Sequence, residues 1–203
     1  EDIDIDSNAL DMYVGSEIAP GGYLWIFPKS VNSANIGLAI TGKYSGNKSA
    51  KKYLDEFMEK RFPDSEIAKS LTGGIPVTRP ISKPIKDGLI LVGDAARHVN
   101  PLTGGGIASA MKSGMYAGRT AIKALDNPVE KRLEPYIKLI DKDFINRHKV
   151  LYNIKEVVSK LSDSDFDRIA QSVSKTPQEK LTLAKIFIII SSITSKSCVL
   201  ESG

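Results

Sequence analysis

The chain has 203 residues, of which 26% are charged and 41% hydrophobic, and its formal net charge is +4 at pH 7. That length can bury a sizeable core and corresponds to one or two domains. A single cysteine, Cys198, excludes an intrachain disulfide and a cysteine-based metal cluster. His98 and His148 lie too far apart in sequence to indicate a local metal site, so we predict none.

Charge is unevenly distributed along the chain. The first 17 residues contain six acids and no base, which leaves 28 basic and 18 acidic side chains in the remainder. Such a surplus favours anionic lipid headgroups or nucleic acid, and a solvated basic face explains it as well. Because we find no base-stacking aromatic series and no basic recognition helix, we do not expect a nucleic-acid partner.

The first predicted element with a distinctive pattern is a strand in the stretch YLWIFP, residues 23–28. Tyr23, Trp25 and Phe27 alternate with Leu24 and Ile26, so the three aromatic side chains share one face of the strand. That face is either the core side of an antiparallel sheet or the wall of a binding site. The alternation alone does not decide between these two interpretations.

An amphipathic helix follows over residues 48–62 and ends at Pro63. Its predicted inner side consists of Tyr53, Leu54, Phe57 and Met58. The stretch GGIPVTRPISKP, residues 73–84, contains three prolines and therefore predicts an extended link rather than a helix.

A strand, a glycine-rich loop and a helix are predicted next. The apolar run 89–92 between two glycines is typical of a strand buried on both faces, and a helical pattern runs from Ile107 to about Leu125. Free N–H groups at the start of that helix can hold an anion or a carbonyl oxygen. The carboxylate of Asp94, at the strand end, can accept hydrogen bonds from ligand hydroxyls. Tight packing without a ligand explains the glycines equally well.

The complete string GLILVGDAARHVNPLTGGGIASAM resembles the second flavin-binding motif of the para-hydroxybenzoate-hydroxylase-like FAD superfamily. The resemblance implies that Asp94 holds a ribityl hydroxyl. It also implies that the backbone N–H groups of Gly106 and Ile107 face the pyrimidine edge of the flavin and stabilise its negative charge on reduction. Carried over position by position, the cofactor-binding residues are Gly93, Asp94, Pro101, Gly104, Gly105, Gly106 and Ile107.

The tract GGYLWIFPKSVNSANIGLAITG is similar to the aromatic-strand signature of the geranylgeranyl reductases, in which Tyr-x-Trp-x-Phe precedes a Gly-x-Gly return strand. Gly37 matches the first of those glycines, whereas Ala39 replaces the second. With both tracts in order, the chain resembles archaeal members of that family, which saturate the isoprenoid chains of membrane ether lipids. The substrate-binding residues so implied are Tyr23, Trp25, Phe27 and Gly37.

The resemblance implies an FAD-dependent reductase that delivers hydride from the flavin to a C=C bond of a geranylgeranyl lipid and draws electrons from an unidentified external donor. The aromatic residues would then wall a tunnel for the lipid. No catalytic residue is assigned. His98, four residues after Asp94, either faces flavin and substrate or is an ordinary loop residue. A flavin monooxygenase and a non-enzymatic membrane-binding or structural module remain the alternatives.

Only part of such a flavoprotein is encoded, because no Gly-x-Gly-x-x-Gly turn for the ADP half of FAD is found. We therefore expect the C-terminal half of a longer protein, with only the flavin half of the FAD site. The predicted fold is α/β (α+β): an antiparallel substrate-domain sheet, a strand-loop-helix flavin motif and C-terminal helices. The predicted divisions are 1–87, part of the substrate domain; 88–125, the end of the FAD domain; and 126–203, helical.

The C-terminal region predicts helices near residues 129–147, 149–161, 163–174 and 177–195. Asp163 with Phe166 marks one helix start, and Thr176 with Glu179 forms a capping box at another. The apolar part of the last helix lies between Lys185 and Lys196 and is too short to span a bilayer, so it makes a core contact or an interfacial membrane contact. We expect a cytoplasmic protein with peripheral contact to the inner membrane surface.

Overall fold

A computed structural model describes residues 2–125, 130–180 and 189–190. The chain divides into two compact units, which we name the sheet unit (Glu1–Thr72 with Leu161–Gly203) and the helical unit (Gly73–Lys160). Together they contain helices and small antiparallel sheets, which agrees with the predicted mixed fold class. The division of the chain at residues 87 and 125 stays a prediction.

The sheet unit is built on a three-stranded antiparallel sheet in the order β1-β2-β3. Its elements are β1 (Asp11–Tyr13), β2 (Tyr23–Pro28), β3 (Ala34–Ala39), α1 (Ala50–Arg61) and α5 (Asp163–Ser174). Leu24 and Ile26 of β2 point into the core and are almost fully buried. Leu54, Phe57 and Met58 of α1 pack against that core, which confirms most of the predicted inner side of the helix.

Helix α5 confirms the predicted range 163–174, and the residue that caps its start is Ser162. Ser162 is its N-cap and forms a capping box with Asp165, while Asp163 accepts hydrogen bonds from the Ser16 backbone (2.9 Å) and hydroxyl (2.7 Å). The Thr176 hydroxyl donates to the Ser172 carbonyl (2.8 Å). Beyond the short 3₁₀ turn Gln178–Lys180, most of the predicted helix 177–195 lies outside the described residues.

The described residues of the helical unit form a short hairpin and three α-helices. Its elements are β4 (Ile85–Lys86), β5 (Leu89–Ile90), α2 (Ile107–Ala124), α3 (Glu130–Ile140) and α4 (Asn146–Val158). The predicted strand buried on both faces is wrong in this chain. β5 has only two residues, pairs with β4 alone among the described strands, and leaves Leu89 57% exposed. A strand in a two-residue hairpin lacks the layers that would cover both its faces.

The predicted break between helices near residue 148 is also wrong. A π-helical segment, Asp141–Ile145, joins α3 to α4 without interruption, and it turns both Phe144 and Ile145 into the core. A π turn contains an extra residue, so adjacent side chains can share the buried face. Tyr136 of α3 is fully buried there and donates a hydrogen bond to the Leu91 carbonyl (2.8 Å). Burial raises the pKa of Tyr136 to about 12, which keeps this donor protonated.

Helix α2 has the predicted range, from Ile107 to about Leu125. The face that it buries, however, consists of small and polar side chains. The buried residues are Ser109, Ser113, Thr120 and Ala124. The large apolar side chains are exposed within the described structure, as Ile107 (81%) and Met111 (72%) illustrate. Small side chains allow the helix backbone to approach the loop beneath it closely, and this geometry sets the candidate site.

Candidate functional site

The Gly-Asp pair and the glycine loop come together at the N-terminus of α2. A Cβ atom built on Gly106 would lie 3.0 Å from Oδ1 of Asp94, so the carboxylate of the pair rests directly against the helix N-cap. Asp94 is exposed. Because the N-cap is Gly106, no side chain satisfies the first N–H groups of α2, which stay available to a ligand. The carboxylate of Asp94, an acceptor, and the first N–H groups of α2, which are donors, therefore lie side by side, as predicted from the motif.

The loop between them is held by its own hydrogen bonds. Oδ1 of Asn100 accepts from the backbone N–H groups of Leu102 (3.0 Å) and Thr103 (3.3 Å), and the Asn100 N–H donates to the Gly105 carbonyl (2.9 Å). Gly104 adopts φ +72°, a conformation that favours glycine. Pro101 is fully buried beneath the loop. The predicted loop residues thus have structural roles, and contact with a cofactor stays a prediction for them.

Two serines of α2 that the motif did not single out fix the Gly-Asp segment from below. Ser113 is fully buried, and its hydroxyl accepts the N–H of Gly93 (3.0 Å), next to Asp94. Ser109, one turn earlier, donates to the carbonyl of His98 (2.6 Å). The four-residue spacing of two serines on one helix face was the available signal in the sequence. These contacts make Ser109 and Ser113 positioning residues for the segment that carries Asp94.

His98 does not face an open site. Its ring is fully buried beside Phe144 (ring centroids 5.2 Å apart), and His148 packs on Phe144 as well (5.5 Å). Both ring nitrogens of His98 lack a hydrogen-bond partner among the described residues. Burial, and secondarily the nearby His148, lower the pKa of His98 to about 4, so the ring is neutral near pH 7. The fold thus joins two histidines that are 50 positions apart in sequence.

The aromatic residues of β2 lie on the face opposite the core. Leu24 and Ile26 fill the core, while Tyr23 and Trp25 are only partly buried and Phe27 is 38% exposed. Ring centroids are 5.8 Å apart for Tyr23 and Trp25, and 6.1 Å apart for Trp25 and Phe27. The interpretation of this face as the core side of the sheet is therefore wrong. A continuous aromatic surface remains open in the sheet unit.

Gly37 sits directly under the indole of that surface. It pairs with Trp25 across β2 and β3, and a Cβ atom at Gly37 would lie 2.3 Å from Cζ2 of Trp25. Only a glycine lets the indole lie flat across the neighbouring strand. The indole Nε1 donates to Oδ1 of Asn35 (3.0 Å), which fixes its orientation. Ala39, the departure from the Gly-x-Gly pattern, pairs with Tyr23 instead.

The segment that carries the aromatic face of β2 and Gly37 is similar to known proteins. Residues 1–75, which contain the aromatic face and Gly37, match the family model of the geranylgeranyl reductase catalytic domain. The chain as a whole is similar to proteins of the geranylgeranyl reductase family. Digeranylgeranylglycerophospholipid reductase 1 from Methanococcoides burtonii is 42% identical, over 89% of this chain and 45% of its own length. The resemblance stated from the two tracts is confirmed.

Two further geranylgeranyl reductase relatives agree. The digeranylgeranylglycerophospholipid reductase of Methanoculleus marisnigri is 39% identical over 90% of this chain and 47% of its own length. The crystal structure of a geranylgeranyl bacteriochlorophyll reductase-like protein from Thermoplasma acidophilum has a TM-score of 0.81 and 35% identity, covering 94% of this chain and 49% of that one. The chain thus spans about half the length of the relatives that it matches.

Within residues 2–125, 130–180 and 189–190, no group of three or more His, Cys, Asp or Glu side chains is placed to hold a metal ion. None of the helices in that part combines the length and apolar character needed to cross a bilayer.

Proposed function

We propose that the complete protein is an FAD-dependent reductase that saturates C=C bonds in the geranylgeranyl chains of archaeal-type ether lipids. The observation that carries the proposal is the open aromatic face of β2, which lies in the segment matching the reductase catalytic domain. An extended apolar face suits a long, flexible isoprenoid chain. The proposed fold of the complete protein is of the para-hydroxybenzoate-hydroxylase type.

The N-terminus of α2 fits a flavin. Asp94 offers an exposed carboxylate to a polyol hydroxyl, and the uncapped N–H groups at Gly106 and Ile107 suit an electron-rich ring edge. When bound, the flavin supplies the hydride that an alkene reduction requires. The helix N-terminus carries roughly half a positive charge, so it favours the added negative charge of the reduced ring. The hydrogen bonds of Ser113 to Gly93 and of Ser109 to His98 fix the segment that places Asp94 beside these donors.

The role proposed for β2 is to bind and orient the isoprenoid chain. Tyr23, Trp25 and Phe27 offer a row of ring faces and edges that contact apolar chain without demanding hydrogen bonds from it. Such a surface also excludes water, which protects the hydride from side reactions. The position of the bound isoprenoid chain matters, because a shift of about 1 Å in a reacting group can lower a rate on the order of 100-fold.

The decisive experiment uses the purified full-length protein with reduced flavin under anaerobic conditions. Addition of a geranylgeranyl ether lipid should oxidise the flavin in a single turnover, and mass spectrometry should show two added hydrogens for each double bond reduced. Flavin oxidation that requires oxygen and yields a hydroxylated product would instead identify a monooxygenase. Absence of a flavin absorption spectrum in the complete protein would favour a membrane-binding or structural module.

A further inference from the structure

A basic groove between α2 and α3, in the helical unit, is not part of the proposed flavin or isoprenoid sites. Its volume is about 250 Å³. The residues that line it are Arg119, Thr120, Lys123, Arg132, Pro135 and Leu139. Positions 119 and 123 are one turn apart on α2, and positions 132, 135 and 139 share one face of α3. The helical geometry therefore brings three cations to a single concave surface.

No acid among the described residues neutralises the three cations of this groove. Arg119, Lys123 and Arg132 have neither an ion pair nor a hydrogen-bond acceptor among the described residues. The acid that packs against α2, Asp143, is engaged by Lys112 (3.3 Å) and by the Tyr116 hydroxyl. Clustered like charges repel one another. A bound anion would offset that repulsion.

The chemistry of the groove selects among anions. Two guanidinium groups favour an oxyanion with several acceptor oxygens, as in a phosphate, because each can donate two parallel hydrogen bonds. The walls contributed by Pro135 and Leu139 are apolar. A free phosphate ion has no apolar group to contact these walls, whereas the chain of a phospholipid has.

Exposed apolar side chains at the C-terminal end of α2 point to a lipid in a bilayer. Ile122 of α2 is 70% exposed, and Leu125, the C-cap residue of that helix, is 74% exposed. Apolar side chains next to basic ones are typical of surfaces that insert shallowly at the headgroup boundary. We propose that the α2–α3 groove binds the phosphate group of an anionic phospholipid at a bilayer surface. This binding goes beyond the proposed reductase activity, since it requires neither flavin nor alkene.

The test measures sedimentation of the full-length protein with vesicles of phosphatidylglycerol or of phosphatidylcholine. The wild type should bind the anionic vesicles at least about tenfold more tightly, since each Lys or Arg near such a surface contributes roughly fivefold. The triple variant R119Q/K123Q/R132Q should lose affinity on the order of 100-fold. A control variant, K52Q/K60Q/K69Q, removes the same charge from exposed positions of the sheet unit and should stay within about threefold of wild type.

Several outcomes would overturn the proposal. They are equal weakening by both triple variants, unchanged binding of the groove variant, and no preference for anionic vesicles. Binding of inorganic phosphate that the groove variant loses, together with no preference for anionic vesicles, would assign the groove to a soluble phosphate instead. Thermal unfolding of each variant shows that it is folded, and the exposed positions of the substitutions predict unchanged midpoints.

Discussion

Replacing Gly37 by alanine should disturb the aromatic face while leaving every aromatic side chain in place. The new methyl group would lie 2.3 Å from Cζ2 of Trp25, whereas ordinary contacts are 3.4–4 Å, so the indole has to move by roughly 1 Å. The indole is only partly buried and can swing outward. We therefore expect a stability loss near the low end of overpacking costs, about 1 kcal/mol. A displacement of that size in a substrate wall should slow turnover on the order of 100-fold.

Two measurements separate these effects. Trp25 is the only tryptophan of the 203-residue chain, so a fluorescence difference between the full-length wild type and the Gly37→Ala variant reports displacement of this indole. Urea unfolding and single-turnover oxidation of reduced flavin by a geranylgeranyl lipid are then compared on the full-length variant. Gly46→Ala is the matched control, because a Cβ atom there meets nothing within 4 Å. Altered fluorescence with a normal rate per folded molecule would refute the role of Trp25 in holding the substrate.

Three further predictions concern the helical unit. Asp94→Ala should weaken FAD binding to the full-length protein by roughly 1.5–3 kcal/mol, the range for a hydrogen bond to a charged group; equal affinity in a flavin titration would contradict the assignment. Ser113→Ala leaves the buried N–H of Gly93 without its acceptor and should cost about 1–3 kcal/mol in urea unfolding, whereas Ser82→Ala, at an exposed site of the same unit, should not. His98 has a pKa of about 4 when folded and 6.5 as its reference value, so the unfolded state binds more protons between these values and stability should fall as pH drops from 6.5 to 4. His98→Phe should flatten that part of the stability profile, and an unchanged slope would count against burial of the ring.

The aromatic strand shows where sequence patterns stop being informative. Alternation predicted the strand and the shared face of Tyr23, Trp25 and Phe27 correctly. However, Leu24 and Ile26 on the other face are apolar as well, so hydrophobicity could not tell which face is buried. Packing decided it, because α1 supplies the apolar partners of Leu24 and Ile26. The space that Gly37 leaves for Trp25 followed from strand register, which no local pattern specifies.

The helical unit was predicted well where local chemistry dominates. The start of α2 and the proximity of Asp94 to Gly106 follow from the motif, and both are confirmed geometrically. The buried face of α2 was not predictable from hydrophobicity, because Ser109 and Ser113 are buried through specific hydrogen bonds to the loop. The pairing of His98 with His148 depends on how α4 packs, and that is a tertiary contact between distant parts of the chain.

The π-helical segment between α3 and α4 amounts to a one-residue insertion in an otherwise regular helix. Deleting one residue from Asp141–Ile145 would restore regular helical hydrogen bonding and rotate α4 by about 100° relative to α3. His148 of α4, which is buried, would then no longer face the core that α3 faces. We therefore expect that, among homologues, loss of that residue is accompanied by replacement of the two buried histidines, because burial of His148 beside Phe144 depends on the direction in which α4 faces.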